Sequence, residues 1–358
     1  VSLILGIETS CDETSASIVE GGRVVISNVV ASQDALHERY GGVVPEIASR
    51  AHIERIGPVV ADALQQAGVS FQDVDAVAVG NRPGLIGSLL VGLSAAKAIA
   101  WAAGKPLIGI DHIRAHLYAA WLIDDASDTA EPPEYPALGL VVSGGHSSLY
   151  DLDSPTEMKL IGRTIDDAVG EAYDKAAVIL KIGYPGGPKL DRLAQTGNAK
   201  AHDLPRSLLQ KDSLDFSFSG LKTALLYTVR GKPKRRGSES YFEKSADDLN
   251  DAQRRDLAAS FQAAAIDTLM IKLKRAFDAM RVANRKPRSL IIGGGVSANS
   301  LLRLRAVELG KELQLDVHLP KMAYCLDNAA MIAGLAHHEF SAGRYSDLSL
   351  AATATISD

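Results

Sequence analysis

The chain has 358 residues, 46% of them apolar and 23% charged, a globular balance that excludes a disordered or fibrous protein and suggests about two domains. Its 38 Lys and Arg against 43 Asp and Glu give a net charge of −5, so the surface as a whole does not coat polyanions and only a local basic patch would meet nucleic acid. Two cysteines, Cys11 and Cys325, exclude a disulfide scaffold, and no basic stretch precedes an apolar run at residues 1–5, so a reducing, cytoplasmic setting is expected.

In chain order, an apolar strand from Leu3 runs into the polar turn Ser10-Cys11-Asp12-Glu13-Thr14, and a strand resumes after it. A second strand begins at Val74 and leads through Asn81-Arg82-Pro83-Gly84 into residues 85–103, almost continuously apolar and long enough to span a bilayer. Lys97 near its middle and Gly87, Ser88, Gly92 and Ser94 along it argue instead for a small-residue helix buried between layers, with no membrane involved. A helix follows near 113–123. Strand–turn–strand then recurs as Leu138 to Val142, Ser143-Gly144-Gly145-His146 and Ser147 to Tyr150, which suggests an internal duplication. Helices are expected near 166–180, 254–280 and 327–336, separated by the loop 183–188, by a polar, basic loop at 231–250 and by the strand and glycine turn of residues 289–299. Strands alternating with helices predict an α/β protein. No G-x-x-x-x-G-K-[ST] loop is present, which excludes a Walker-type ATPase.

Three groups of residues carry candidate chemistry. His112 and His116 stand at i and i+4, on one helical face, as a shared divalent metal requires. A zinc-protease helix would need a glutamate after the first histidine, and Ile113 occupies that position. Asp327 could complete a two-histidine, one-carboxylate set suited to Zn²⁺ or Fe²⁺, although its place before a helix equally suits an N-cap. Asp167, Glu171 and Asp174 form a stripe on one helix; by default this is a solvated face, but the loop 183–188 and Asp191 follow it, and carboxylates beside such a loop can bind ribose hydroxyls.

Together with Gly41–Glu46, Tyr184–Pro188, Phe216-Ser217-Phe218-Ser219-Gly220-Leu221-Lys222, Gly293–Asn299 and Asp327-Asn328, these motifs resemble the TsaD (Gcp, YgjD) family of tRNA threonylcarbamoyladenosine transferases, in its bacterial form and nearly end to end. The resemblance implies an actin/Hsp70-like (ASKHA) fold of two duplicated, RNase H-like lobes, here 1–133 completed by 327–358, and 134–326. It implies transfer of a threonylcarbamoyl group from threonylcarbamoyl-AMP to N6 of the adenosine 3′ of the anticodon, in tRNAs reading codons that begin with adenine. His112, His116 and Asp327 would hold one Fe²⁺ or Zn²⁺. Val141, Val142, Ser143, Gly144, Gly145, Asp174, Gly187, Asp191 and Asn299 would hold the adenylate. Asp12 or Glu13, from their position in the first turn rather than from the resemblance, would take the proton of the attacking amine. Lys232, Lys234, Arg235 and Arg236 are candidate tRNA contacts. Implied partners are tRNA, a smaller TsaB-like paralogue and a TsaE-like ATPase, with a homodimer left open; residues 85–103, where Gly87 and Gly92 allow close approach, are an association surface or equally core. The rival readings are a metalloprotease (the family was once described as a glycoprotein endopeptidase), a kinase of the same fold, and an actin-like scaffold.

Overall fold

The computed structural model describes residues 1–207, 210–236 and 239–355. Its first sheet is built from β1 (Leu3–Glu8), β2 (Thr14–Glu20), β3 (Val24–Ala31), β4 (Ala76–Arg82) and β5 (Leu107–Asp111), in the order β3-β2-β1-β4-β5. β1–β3 form an antiparallel meander, and β4 and β5 add in parallel. Helices α1 (Asp34–His37), α2 (Pro45–Ala67), α3 (Ile86–Ala103) and α4 (His112–Tyr118) connect or follow these strands.

The second sheet repeats the plan. β6 (Ala137–Val142), β7 (Ser147–Leu152) and β8 (Met158–Arg163) form the meander. Helices α5 (Val169–Leu180), α6 (Gly186–Ala194) and α7 (Ser219–Arg230), the hairpin β9 (Lys234–Arg236) and β10 (Glu239–Tyr241), and α8 (Asp251–Val282) follow it. β11 (Ser289–Gly293), α9 (Ser300–Leu313) and β12 (Asp316–His318) then complete a sheet of order β12-β11-β6-β7-β8, whose β11 joins β6 and β12 in parallel. The strand–turn–strand recurrence is therefore a duplication of a whole five-stranded topology. Last comes α10 (Ala329–Ser341), which returns to pack against β1, β2 and β4.

Period-2 alternation sorts the strand side chains into layers. Leu5, Ile7, Val77 and Val79 face α2 and α3, whereas Ile4, Ala76, Ala78, Ile108 and Ile110 face a central core shared with α4 and α10. Val141, Tyr150, Leu152 and Ile291 of the second sheet enter the same central core. Leu138, Leu140, Val142, Leu290 and Ile292 face away from it, toward α5–α9. The two helices between the sheets are thus the ones that carry or adjoin His112, His116 and Asp327.

Three expectations change. α3 is not buried between layers: it lies on the outer face with α2, a third of its apolar window is buried, and Ile86, Leu90 and Trp101 are open to solvent. The expected helix at 166–180 begins only at Val169, because the Asp166 carboxylate instead accepts hydrogen bonds from Ser217 Oγ, Phe218 N and Ser219 Oγ and N. Residues 231–250 are not one continuous loop: they contain the β9–β10 hairpin, which carries Lys234, Arg235 and Arg236 with Lys232 just before it, and Lys234 pairs with Glu243; residues 237 and 238 fall outside the described residues.

Candidate metal and adenylate site

α4 is a seven-residue helix with a built start: Asp111 at its N-cap accepts from Ile113 N at 3.0 Å and Arg114 N at 3.2 Å. His112 and His116 project from it into the interior, the latter fully buried. Asp327 meets them from the other end of the chain. Its Oδ1 lies 3.5 Å from His112 Nε2 and 3.2 Å from His116 Nε2, and one ligand atom from each of the three residues lies within 4.8 Å of the others. Asp327 is free for this because Asn328, not Asp327, caps α10, its side chain accepting from Met331 N at 3.0 Å.

Neither ring nitrogen of His116 makes a hydrogen bond among the described residues, although both are buried. Nε2 instead faces the Asp327 carboxylate 3.2 Å away, and a cation coordinated by both would satisfy the two groups together. The three side chains therefore fit a divalent ion. His112 carries the outer support: its Nδ1 lies 3.0 Å from Glu8 Oε2 and 3.1 Å from Ser10 Oγ, which leaves Nε2 facing Asp327. Burial opposes charge on His112, but the Glu8 and Asp327 carboxylates outweigh it and push its pKa up to about 9. Burial and the neighbouring His112 pull His116 down. Burial also works against the Asp327 carboxylate, yet the two imidazoles hold it well below the usual carboxylate range. The chain offers one basic imidazole, one neutral imidazole and one firmly ionised carboxylate.

The turn Ser10–Glu13 lies beside this cluster. His52 on α2 ties it down, Nδ1 to Thr14 Oγ1 at 2.8 Å and Nε2 to the Cys11 carbonyl at 3.0 Å. Glu13 is raised well above its ordinary pKa by burial, then by the charges of Asp327 and Asp12; Asp12 is raised by burial, with Asp327 adding to it.

The glycine turn of the second lobe approaches from the other side. Ser143 N donates to the His146 carbonyl, while the first amides of α5, Gly170 N and Glu171 N, hold the carbonyls of Ser143 and Gly144 at 3.2 Å each. Gly144 and Gly145 face open space. His146 senses the cluster: burial, then His112 and His116, bring its pKa down to about 4. Val141 and Val142 are fully buried in β6, their side chains in the two cores, so that only their backbone is available beside the turn that follows them.

Asp174 accepts from Gly186 N at 3.0 Å and also from Gly187 N, so it binds the start of α6, and it lies within the field of Asp12. Asp191 and Asn299 are brought together through a residue with no sequence signal, Gln262 on α8, which donates to Asp191 and accepts from Asn299, both at 3.0 Å. Asp167 and Glu171 of the same stripe pair with Lys175, and Asp167 also with Lys222. Sequence reasoning missed the roles of Glu8, Ser10, His52, Gln262 and Ser300; of these only Glu8, a charge ending an apolar strand, carried a local sign.

The family model described as TsaD, tRNA N6-adenosine threonylcarbamoyltransferase, matches residues 24–334. The chain is 48% identical over 99% of its length to a tRNA N6-adenosine threonylcarbamoyltransferase of Pelobacter propionicus, covering 96% of that protein. It is 49% identical over 97% of its length to one from Symbiobacterium thermophilum, covering 94% of it. Among solved structures, full-length HypF matches 96% of the chain with 47% of its own length, at 12% identity and a TM-score of 0.58. Component A of the Acidaminococcus fermentans (R)-2-hydroxyglutaryl-CoA dehydratase matches 95% of the chain over 100% of its own, at 12% identity and a TM-score of 0.50. At such identities these two speak to the fold alone, and the fold is the actin/Hsp70-like one. With its family match and relatives nearly half identical from end to end, the chain belongs to the TsaD family of tRNA N6-adenosine threonylcarbamoyltransferases.

Proposed function

We propose that this enzyme transfers the threonylcarbamoyl group of threonylcarbamoyl-AMP to N6 of the adenosine 3′ of the anticodon, forming threonylcarbamoyladenosine and releasing AMP. The observation that carries the reading is the convergence of His112, His116 and Asp327 beside both the Ser10–Glu13 turn and the glycine turn. In the reaction the amine forms a bond to the carbamoyl carbon, the bond from that carbon to the phosphate oxygen breaks, and the amine loses one proton. The donor is already activated, so the protein's work is to hold it, to place the amine and to receive that proton.

Residue by residue, the open amides of Gly144 and Gly145 would receive the phosphate of AMP and stabilise it as it leaves. Asp191 and Asn299 would hold the nucleoside, with Gly187 and Asp174 bordering it. The Asp12–Glu13 pair would take the amine's proton, since carboxylates whose pKa is raised toward neutrality are better bases than ordinary ones. An Fe²⁺ or Zn²⁺ ion held by His112, His116 and Asp327 would supply Lewis-acid chemistry toward the threonylcarbamoyl oxygens. A metalloprotease is not favoured: the position where that helix needs its glutamate is Ile113, packed in the central core.

tRNA is the second substrate, and the exposed Lys232, Lys234 and Arg235 on and beside the β9–β10 hairpin are the proposed contacts, although Lys234 is engaged with Glu243. The open apolar face of α3, with Ile53 of α2, is the proposed seat of the smaller paralogue; a TsaE-like ATPase would complete the set. The decisive experiment is reconstitution with these partners, a donor-forming enzyme, labelled threonine, bicarbonate, ATP and tRNA. Label is expected in threonylcarbamoyladenosine with the wild-type chain and is expected to drop at least about a hundredfold with Asp327→Asn. Absence of product, with the same partners active alongside an authentic family member, would overturn the reading.

A further inference from the structure

Gln262 lies in α8, nearly fully buried, between two residues proposed to hold the adenylate. The hydrogen bonds around it run in one direction, and that direction starts from the backbone. Leu302 N at the start of α9 can only donate, and it donates to Asn299 Oδ1 at 3.0 Å. Asn299 must then present its amide nitrogen to Gln262 Oε1. Gln262 must in turn present Nε2 to Asp191 Oδ1. Turning the Gln262 amide over would set its nitrogen against that of Asn299 and its oxygen against a carboxylate, two repulsive contacts in place of two bonds.

Asp191 is filled on one side by the same neighbours. Its Oδ1 accepts from Gln262 and from Ser300 Oγ at 2.7 Å, while Oδ2 accepts from Ser300 N at 3.1 Å. Each carboxylate oxygen has two accepting directions, so the direction these bonds leave is on Oδ2. A ligand there must donate.

We propose that Gln262 is a positioning residue that relays the polarity of the α9 N-terminus to Asp191, fixing it as an acceptor that selects a nucleotide with free ribose hydroxyls. This rests on the adenylate reading above. The test is calorimetric binding of AMP and of 2′,3′-dideoxy-AMP to the full chain. Wild type is expected to prefer AMP by about tenfold or more, as a hydrogen bond to a charged group allows. In Gln262→Met the AMP affinity should fall by about tenfold and the preference should largely vanish. In the reconstituted reaction, KM for the donor should rise more than kcat falls, a split that a general loss of packing would not produce.

If Gln262→Met fails to give a cooperative melt, Gln262→Glu, of the same shape, carries the test at pH 8: its carboxylate opposes that of Asp191, and the preference should again be lost. A folded variant of either kind that keeps wild-type affinity and preference overturns the proposal. Asp191→Asn separates the two levels. If it loses the preference while Gln262→Met keeps it, only the relay fails; if it too binds AMP with full preference, the adenylate reading itself fails.

Discussion

A poorly solvated glutamate beside two other carboxylates ionises at higher pH than usual, and Glu13 is in that position. Its folded-state pKa stands well above the unfolded value of 4.5, from burial first and the charges of Asp327 and Asp12 next. Below about pH 4.5 both folded and unfolded chains carry the proton and the residue has no effect on stability. As pH rises above that value the unfolded chain releases this proton freely while the folded chain still holds it, so stability is lost until pH has passed the folded-state pKa. Glu13→Gln removes this loss. Chelator-treated Glu13→Gln is therefore expected to melt close to wild type at pH 4.5 and increasingly above it toward pH 8, while transferring more slowly in the reconstituted reaction. A divalent ion beside Asp327 offsets that carboxylate's charge, so adding Zn²⁺ should narrow the difference. Parallel thermal melts across pH, with and without the ion, check both statements; a difference independent of pH would mean that Glu13 is ionised throughout.

At the scale of the element, α10 shows why the site was only partly legible in the sequence. The histidine pair was readable, since i and i+4 on a helix face are neighbours whatever the fold. Asp327 was ambiguous because a carboxylate before an apolar helix is also the grammar of an N-cap. The ambiguity is resolved by the next residue: Asn328 caps α10 through Oδ1, and its Nδ2 donates to the carbonyls of Leu326 at 2.8 Å and Tyr324 at 3.2 Å, so one buried amide starts the helix and holds the loop that carries Asp327. The first two strands of each meander and the duplication were legible through apolar runs and repeated turns, but the third strands, β3 and β8, were not. The start of α5 was not, because Asp166 is drawn away by Ser217 and Ser219, more than fifty residues along the chain. Gln262 was invisible for the same reason: its partners are set by tertiary placement, and no spacing encodes them. Asn328→Ala is expected to cost about 1–3 kcal/mol of stability and to weaken Zn²⁺ binding, because the cap and the loop anchor are lost together. Asn328→Asp restores the cap but cannot donate to the two carbonyls, so it should recover stability better than metal affinity. Thermal melts alongside chelator competition read the two effects separately, and equal recovery of both would show that the loop needs no anchor.

The whole molecule places its site where two copies of one topology meet. α4 lies between the sheets, and the end of β11 presses against it: a Cβ at Gly293 would stand 2.0 Å from the His116 carbonyl oxygen, and one at Gly294 2.4 Å from the Val142 carbonyl oxygen. Gly293 is thus required by close approach of the second sheet to α4, and Gly294 by the neighbouring strand β6 and its φ of +92°, whereas Gly144, with nothing within 4 Å, is free of any such contact. Two glycine turns that look alike in sequence therefore serve different ends, one structural and one open to a ligand. Gly293→Ala must push α4 away from β11. Backbone carbonyls cannot rotate aside as a side chain would, so the cost is expected to reach at least ~1–3 kcal/mol, with His116 displaced from Asp327 and the bound Zn²⁺ falling below one ion per chain. Gly144→Ala should leave the melting temperature unchanged. Metal content after dialysis and melts of the two variants, side by side, make the comparison. A Gly293→Ala protein that melts like wild type and retains its full complement of zinc would show that α4 is held by its own lobe alone, and that the second sheet merely lies beside it.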